Sequence, residues 1–286
     1  MKNITNDIVA IVGGSSGIGK ESAKLLAALG AQVVLIARGA ERLQEVAEEI
    51  RNQGGRAEVV VADVASADHV QKAARTIEEK FGQLDVMIYS AAVFYLSPVE
   101  TMDLNLARQS MEINYWGAVN VTQAFLPLIR KGRRKSMIYI SSLSAQCTPP
   151  FFTAYAATKH ALRGFLLSLR QELRPEGIYV GMVSPGPVET PLIENDLHQD
   201  MYRLPPGIPV LTPEAAAKGV VRTLLKQKQD LVVPGRMAFA ARLASAFPSI
   251  VERYYRLSIP GWNHLILSQT KRSRVLTEDE TNNPVV

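Results

Sequence analysis

The sequence predicts an α/β fold, a single doubly wound parallel sheet with helices on both faces. Short, continuous apolar runs recur with amphipathic stretches between them, the alternation expected when parallel strands are buried on both faces. The first run, Ile8 to Val12, empties into Gly13-Gly14-Ser15-Ser16-Gly17-Ile18-Gly19 and then a helical pattern, the context of a phosphate-binding turn. A chain of 286 residues with 47% hydrophobic content is long enough for one large core.

The helix after the glycine turn runs through Leu29, where Gly30 stops it. The second strand is Gln32 to Ile36, followed by a polar helix from Glu41 to Gln53. Ala57 to Ala62 forms the third strand and ends at Asp63; a helix from Ser66 to Phe81 leads to the fourth, Leu84 to Tyr89. After a loop, Ala92 to Met102, one long helix is expected from Leu104 to Arg130. The fifth strand is Ser136 to Ser141, and the next helix continues to Arg174, where Pro175 ends it. Tyr179 to Val183 is the sixth strand, and the chain then breaks at Ser184-Pro185-Gly186-Pro187. Val188 to Val210 has no clean period and holds four prolines, which marks a disordered segment or a functional lid. Thr212 caps a helix from Pro213 to Gln229, and Leu231 to Val233 is the last strand.

Past Gly235 the composition shifts. Met237, Phe239, Leu243, Phe247, Val251, Tyr254 and Leu257 alternate with Arg236, Arg242, Arg253 and Arg256, which reads as amphipathic helices broken at Pro248. Their apolar face has four candidate partners: the rim of the sheet, a second subunit, a membrane surface, or a greasy pocket that they roof. The expected organisation is residues 1–235 as nucleotide-binding and catalytic domain, 236–268 as a helical extension packed on it, and 269–286 as a polar tail.

Composition removes several function classes. The one cysteine, Cys147, excludes an intrachain disulfide and a cysteine-based metal cluster. With a polar N-terminus that shows no secretory signal, it points to a cytoplasmic protein, peripheral to a membrane at most. No apolar run reaches the roughly 18–20 residues of a spanning helix. The net charge is +5, with basic and acidic residues interleaved. The basic clusters Arg130 to Lys135 and Lys271 to Arg274 lack an aromatic ladder or a recognition helix, so nucleic acid is not an expected partner. Four histidines, His69, His160, His198 and His264, have no ligand spacing, and no metal is expected.

The residues that carry chemistry lie at the ends of the apolar runs. Gly13, Gly17 and Gly19 permit a tight turn, and with Ser15, Ser16 and Ile18 they would present backbone amides to a pyrophosphate. At the end of the second strand an NAD site expects a carboxylate for the ribose 2'-hydroxyl, whereas this chain has Ala37 and Arg38. An arginine pairs with a 2'-phosphate and stacks on adenine, so NADP(H) is the predicted cofactor. Asp63 and Val64 would meet the adenine edge, although Asp63 is equally suited to capping the next turn. Tyr155 and Lys159 stand four residues apart on one helix face, where the ammonium would favour ionisation of the phenol. Ser142, thirteen residues upstream of Tyr155, could add a hydroxyl to the same site.

With the glycine turn, Ser142, Tyr155 and Lys159 in register, the sequence resembles the short-chain dehydrogenase/reductase family over Asp7 to Val233. It is similar to the subgroup with the Thr-Gly-x-x-x-Gly-x-Gly turn, here lacking the threonine at Val12, and the family implies a Rossmann-like fold. The family's Asn-Asn-Ala-Gly after the fourth strand corresponds to Tyr89-Ser90-Ala91-Ala92, a departure that retunes the nicotinamide side of the pocket. Asn114 matches the family's catalytic asparagine. Pro185-Gly186 matches its Pro-Gly turn, with Val188 and Thr190 at the nicotinamide end. The resemblance implies hydride transfer between NADP(H) and a carbonyl or alcohol carbon. In that scheme Ser142 binds the substrate oxygen, Tyr155 donates the proton, Lys159 lowers the Tyr155 pKa and binds the ribose, and Asn114 holds a water leading from Lys159 to solvent.

The substrate expectation rests on Phe94, Leu143, Phe151, Phe152, Leu192, Met201 and Tyr202, apolar candidates for the pocket wall. They favour a lipid- or steroid-like ketone, and the C-terminal segment faintly resembles reductases of keto-lipids such as 3-ketodihydrosphingosine. The family implies a homodimer or homotetramer, and Phe165, Leu166 and Leu169 suit either that interface or the monomer core. The competing function is a non-enzymatic NADP(H)-binding sensor or interaction protein on the same fold.

Overall fold

The computed structural model describes residues 3–190 and 207–258. Seven parallel strands make one sheet in the order β3-β2-β1-β4-β5-β6-β7. They are β1 (Ile8–Val12), β2 (Gln32–Ala37), β3 (Arg56–Val61), β4 (Val86–Tyr89), β5 (Ser136–Ile140), β6 (Tyr179–Pro185) and β7 (Asp230–Val233). The chain builds outward from β1 to β3, then returns to lay β4 on the other side of β1. That reversal opens a crevice at the carboxyl ends of β1 and β4, where open parallel sheets bind ligands.

One face of the sheet is covered by α1 (Gly17–Ala28), α2 (Ala40–Asn52) and α7 (Pro213–Lys226), with α1 packed on α7. Val9, Ile11, Val33, Leu35 and Ile88 point into this layer. The opposite face carries α3 (Ala67–Phe81), α4 (Leu104–Met111), α5 (Gly117–Lys131) and α6 (Thr153–Leu173), over Ala10, Val34, Met87, Tyr89 and Tyr139. All four residues of β4 and all five of β5 are buried, which is why these central strands read as unbroken apolar runs. Leu166 and Leu169 belong to this monomer core, so they do not form a subunit interface. Two helices beyond the sheet, α8 (Ala238–Ala246) and α9 (Pro248–Ser258), meet at Phe247 as the proline predicts.

Three elements differ from expectation. The long helix from Leu104 to Arg130 is interrupted by a π turn, Glu112–Trp116, between α4 and α5. Side-chain periodicity does not reveal a one-residue slip in backbone hydrogen bonding. β6 runs on through Ser184 and Pro185, which pair with Val232 and Val233, because proline is tolerated at a strand end where one amide fewer is needed. The helix capped by Thr212, whose hydroxyl accepts from the Ala215 amide at 3.2 Å, stops at Lys226 because Gln227 turns left-handed at φ 48°. The helix after β3 is capped by Ser66, whose hydroxyl accepts from the His69 amide at 3.3 Å. Leu192, Met201, Tyr202, His198, His264, the end of the extension and the tail lie outside the described residues.

The basic segment that ends α5 and follows it ties the lower edge of the sheet together. Arg130 pairs with Glu176 at 2.6 Å and Lys131 with Glu78 at 2.7 Å. Arg133 reaches Asp85 at 3.3 Å and Arg134 reaches Asp7 at 2.5 Å. Asp85 is fully buried and accepts from the Ile8 amide at 2.8 Å and the Arg133 amide at 2.6 Å. Burial by itself would raise its pKa, yet those amides and the Arg133 guanidinium hold it below the usual carboxylate value. A depressed carboxylate stabilises the fold above its unfolded pKa, and that contribution is lost as pH falls. Asp85→Ala is expected to cost about 3 kcal/mol at pH 7, because two buried amides lose their acceptor. Urea unfolding would check this, with the gap to wild type narrowing below about pH 4.

Candidate active site

A cavity of about 930 Å³ opens over the carboxyl ends of β1, β4, β5 and β6. At its polar end β1 turns at Gly13, where φ is +83° and an added Cβ would lie 2.5 Å from the Ala91 amide nitrogen. Only glycine lets the two strand ends approach this closely while leaving bare backbone exposed. α1 then starts at Gly17, with no side-chain cap from Ser16 and no acidic residue in its first turn. Its first amides therefore have no intrahelical acceptor, and Gly17 and Ile18 line the cavity at the positive end of the helix dipole.

Ser15, Ser16, Gly17, Ile18, Arg38, Asp63, Val64, Ser90 and Ala91 all line this end of the cavity. Gly19 does not. It lies behind the turn, where a Cβ would strike the Gly13 carbonyl. Arg42 lines the cavity beside Arg38, and the i,i+4 spacing of the two arginines was the available sequence signal for it. The Asp63 carboxylate accepts from the Ala65 amide at 3.0 Å, so it closes its own turn while lining the pocket. Ser141, also unanticipated, has a buried hydroxyl in the wall with no hydrogen-bond partner. Free helix amides, two arginines and an unpartnered hydroxyl along one crevice fit a nicotinamide dinucleotide.

At the deeper end β5 delivers Ser142, and α6 brings up Tyr155 and Lys159. Ser142 Oγ accepts from the Ser144 amide at 3.1 Å and lies 3.2 Å from the Ser144 hydroxyl. Tyr155 is 7% exposed, its ring edge-on to Phe94 at 4.7 Å and to Phe152 at 6.2 Å. Lys159 is 2% exposed; its ammonium donates to the Ile140 carbonyl at 3.3 Å and lies 5.6 Å from the Tyr155 ring centre.

Burial therefore dominates both groups. It pushes the Tyr155 phenol up to about 12, against a hydrogen bond from Ser142 that pulls it down. It also pushes the Lys159 ammonium down to about 8. In the free protein the Tyr155 pKa therefore lies above its ordinary value and not below it, as the pairing with Lys159 led one to expect, because desolvation of the charged form is the largest influence on each group.

Asn114 is fully buried behind the cavity rather than on its wall. Its amide clasps Val93, accepting from the Val93 nitrogen at 2.8 Å and donating to the Val93 oxygen at 2.9 Å. It also donates to Thr158 Oγ1 at 3.0 Å, and that hydroxyl donates to the Tyr155 carbonyl at 2.7 Å. The side chain is committed to protein groups, so it positions Val93 and the α6 turn that bears Tyr155. Pro185, Gly186, Val188 and Thr190 line the cavity, and Val188 forms a parallel bridge with Leu211.

Phe94, Leu143 and Phe152 line the apolar half as expected. Phe151 does not, because a left-handed φ of 68° sets it apart from Phe152, which faces the cavity. The rest of the wall is Met237, Ala241, Ala244, Val251 and Tyr255 from α8, α9 and the turn before them, so of the four candidate partners of this segment the greasy pocket is one it meets. Their amphipathic pattern was visible in the sequence, but several faces could have covered it. Among the described residues no group of three potential metal ligands occurs.

A lysine with a depressed pKa binds fewer protons folded than unfolded, so its destabilising effect is full below pH 8 and relieved as pH rises toward 10.5. Lys159→Met is accordingly expected to be more stable than wild type by about 3 kcal/mol at pH 7, an advantage that shrinks through pH 8–10. Urea midpoints across that range check it; a difference independent of pH would mean that Lys159 is solvated.

The model of the family described as short chain dehydrogenase matches residues 7–200. "Dehydrogenase/reductase SDR family member 7B" of Xenopus laevis is 34% identical over 242 residues, 80% of this chain and 74% of that protein. "11-beta-hydroxysteroid dehydrogenase A" of Sesamum indicum is 32% identical over 267 residues, 90% of this chain and 76% of the other. Among solved structures, an alcohol dehydrogenase from the archaeon Thermococcus sibiricus, complexed with 5-hydroxy-NADP, superposes with a TM-score of 0.70 at 26% identity. That match covers 79% of this chain and 95% of the archaeal one. The likeness to 3-ketodihydrosphingosine reductases gains no support from these relatives. With the glycine turn, the strand order and the Ser142, Tyr155 and Lys159 cluster all in place, the chain belongs to the short-chain dehydrogenase/reductase family of oxidoreductases.

Proposed function

We propose that this protein is an NADPH-dependent carbonyl reductase, reversible as an alcohol dehydrogenase, acting on an apolar ketone of lipid- or steroid-like shape. The observation that carries the reading is a cluster of buried Tyr155 and Lys159 with half-buried Ser142 at the junction of a polar crevice and an apolar chamber. The amides of Gly17 and Ile18, with Ser15, Ser16, Arg38, Arg42 and Ser90, would hold a nicotinamide dinucleotide, whose contribution when bound is the hydride.

The protein's own groups manage the charge. As a carbonyl is reduced, negative charge grows on its oxygen, and donors already in place stabilise it most at that moment. The Ser142 hydroxyl can turn to that oxygen because the Ser144 amide holds its Oγ. With a pKa of about 12, Tyr155 is fully protonated at pH 7 and ready to give its proton. The Lys159 ammonium, in a site with little water, then steadies the phenolate left behind. Asn114 fixes the backbone on both sides of this exchange.

Arg38 and the absence of a carboxylate at the end of β2 support NADP(H) over NAD(H). The wall contributed by α8 and α9 supports an apolar substrate. On the outside of these helices Phe239, Phe247 and Leu257 are exposed among Arg242, Arg253 and Arg256, a combination suited to peripheral contact with an anionic membrane from the cytoplasmic side. No helix among the described residues is long and apolar enough to cross a membrane. Leu104, Trp116 and Leu167, exposed on and beside α4 and α6, offer a surface for a homodimer or homotetramer.

Initial rates with NADPH across ketones of graded chain length are expected to rise with length, and NADH is expected to be a poor substitute. Arg38→Asp should raise the KM for NADPH roughly 30-fold, by loss of a charge-assisted contact, while leaving that for NADH within about threefold. Equal losses with both cofactors, or no dependence on chain length, would contradict the respective half of the reading.

A further inference from the structure

The π turn that carries Asn114 has an unusual support. At the end of a regular α-helix turn the Gly117 amide would bond to the Ile113 carbonyl, four residues back. Here it bonds to the Glu112 carbonyl, five residues back, so the Ile113 carbonyl loses its helical donor. The Tyr89 hydroxyl supplies the replacement, donating to Ile113 O at 2.5 Å from a site that is 1% exposed. Gly117 keeps room for it, since a Cβ there would lie 2.5 Å from Tyr89 Oη and 2.8 Å from Val64 Cγ2. Burial pushes the Tyr89 phenol far up, so it remains a neutral donor at any working pH.

From this carbonyl the connection runs directly to the site. Asn114 is the next residue, clasping Val93 and donating to Thr158, which bonds to the Tyr155 carbonyl. We propose that Tyr89 is a positioning residue for the reaction: its hydroxyl stabilises the π turn that aims Asn114, and through Asn114 it fixes Val93 and the α6 turn that bears Tyr155. The residue occupies the place of an asparagine in the family's motif after the fourth strand, and the phenol gives that place a new partner. The catalytic half of the claim rests on the reductase reading; the geometric half does not.

Tyr89→Phe tests this against Tyr139→Phe. Tyr139 is the neighbouring buried phenol in β5, its ring centre 6.3 Å away, and its hydroxyl meets Thr122 at 2.6 Å instead of the π turn. Amide exchange over residues 91–95 reads the Asn114 clasp without any substrate. In Tyr89→Phe it is expected to be about tenfold faster than in wild type, with kcat for ketone reduction about tenfold lower and KM within about twofold. Tyr139→Phe should leave all three unchanged, whatever it does to Tm. If Tyr89→Phe does not fold, Gly117→Ala displaces the same hydroxyl and should give the same pattern. Exchange at wild-type speed, equal effects from both phenols, or faster exchange with unchanged kcat would each overturn the proposal. Were wild type to turn over no ketone at all, the reductase reading would fall while the exchange comparison still decided the geometry.

Discussion

The site depends on withdrawing an ammonium and a phenol from water together. Lys159 sits against the Ile140 carbonyl at the end of β5, and Tyr155 is gripped by Phe94 and Phe152. Neither group is comfortable in its charged form there, which is why the tyrosine pKa rises and the lysine pKa falls. The arrangement is unfavourable for folding and favourable for chemistry. A charge that appears in a dry, preorganised site is stabilised far more than the same charge in water.

The parallel sheet supplies the rigidity this requires. Because every strand runs the same way, the ends of β1, β4, β5 and β6 arrive on one edge, and the reversal between β1 and β4 leaves a gap there. Buried electrostatic contacts at the opposite edge, Asp85 with the amides of Ile8 and Arg133 above all, tie down the starts of the same central strands. The binding edge can then present open backbone and an unpartnered hydroxyl while the rest of the sheet keeps its hydrogen bonds paired.

Much of this was legible in the residues. Fully buried strands such as Ser136–Ile140 announce themselves as apolar runs, and Gly13 and Gly17 sit where only a turn between strand and helix makes sense. Tyr155 and Lys159 were visible because helix periodicity places residues four apart on one face. The π turn was not, since a slip in backbone bonding leaves side-chain spacing almost unchanged, and so the partners of Asn114 were hidden too. The fate of Phe151 was equally closed to pattern reading: two adjacent phenylalanines look alike until one adopts a left-handed φ. The pKa balance between Tyr155 and Lys159 also required depth of burial, which spacing does not give.

The most direct test is NADPH oxidation driven by a long-chain ketone, compared between wild type and Tyr155→Phe with NADPH binding followed in parallel by fluorescence. The account predicts that both proteins bind NADPH alike while the phenylalanine variant loses at least two to three decades of kcat, the range expected when an essential donor is removed. Wild-type turnover in Tyr155→Phe, or tight NADPH binding by a wild type that reduces no ketone, would contradict it.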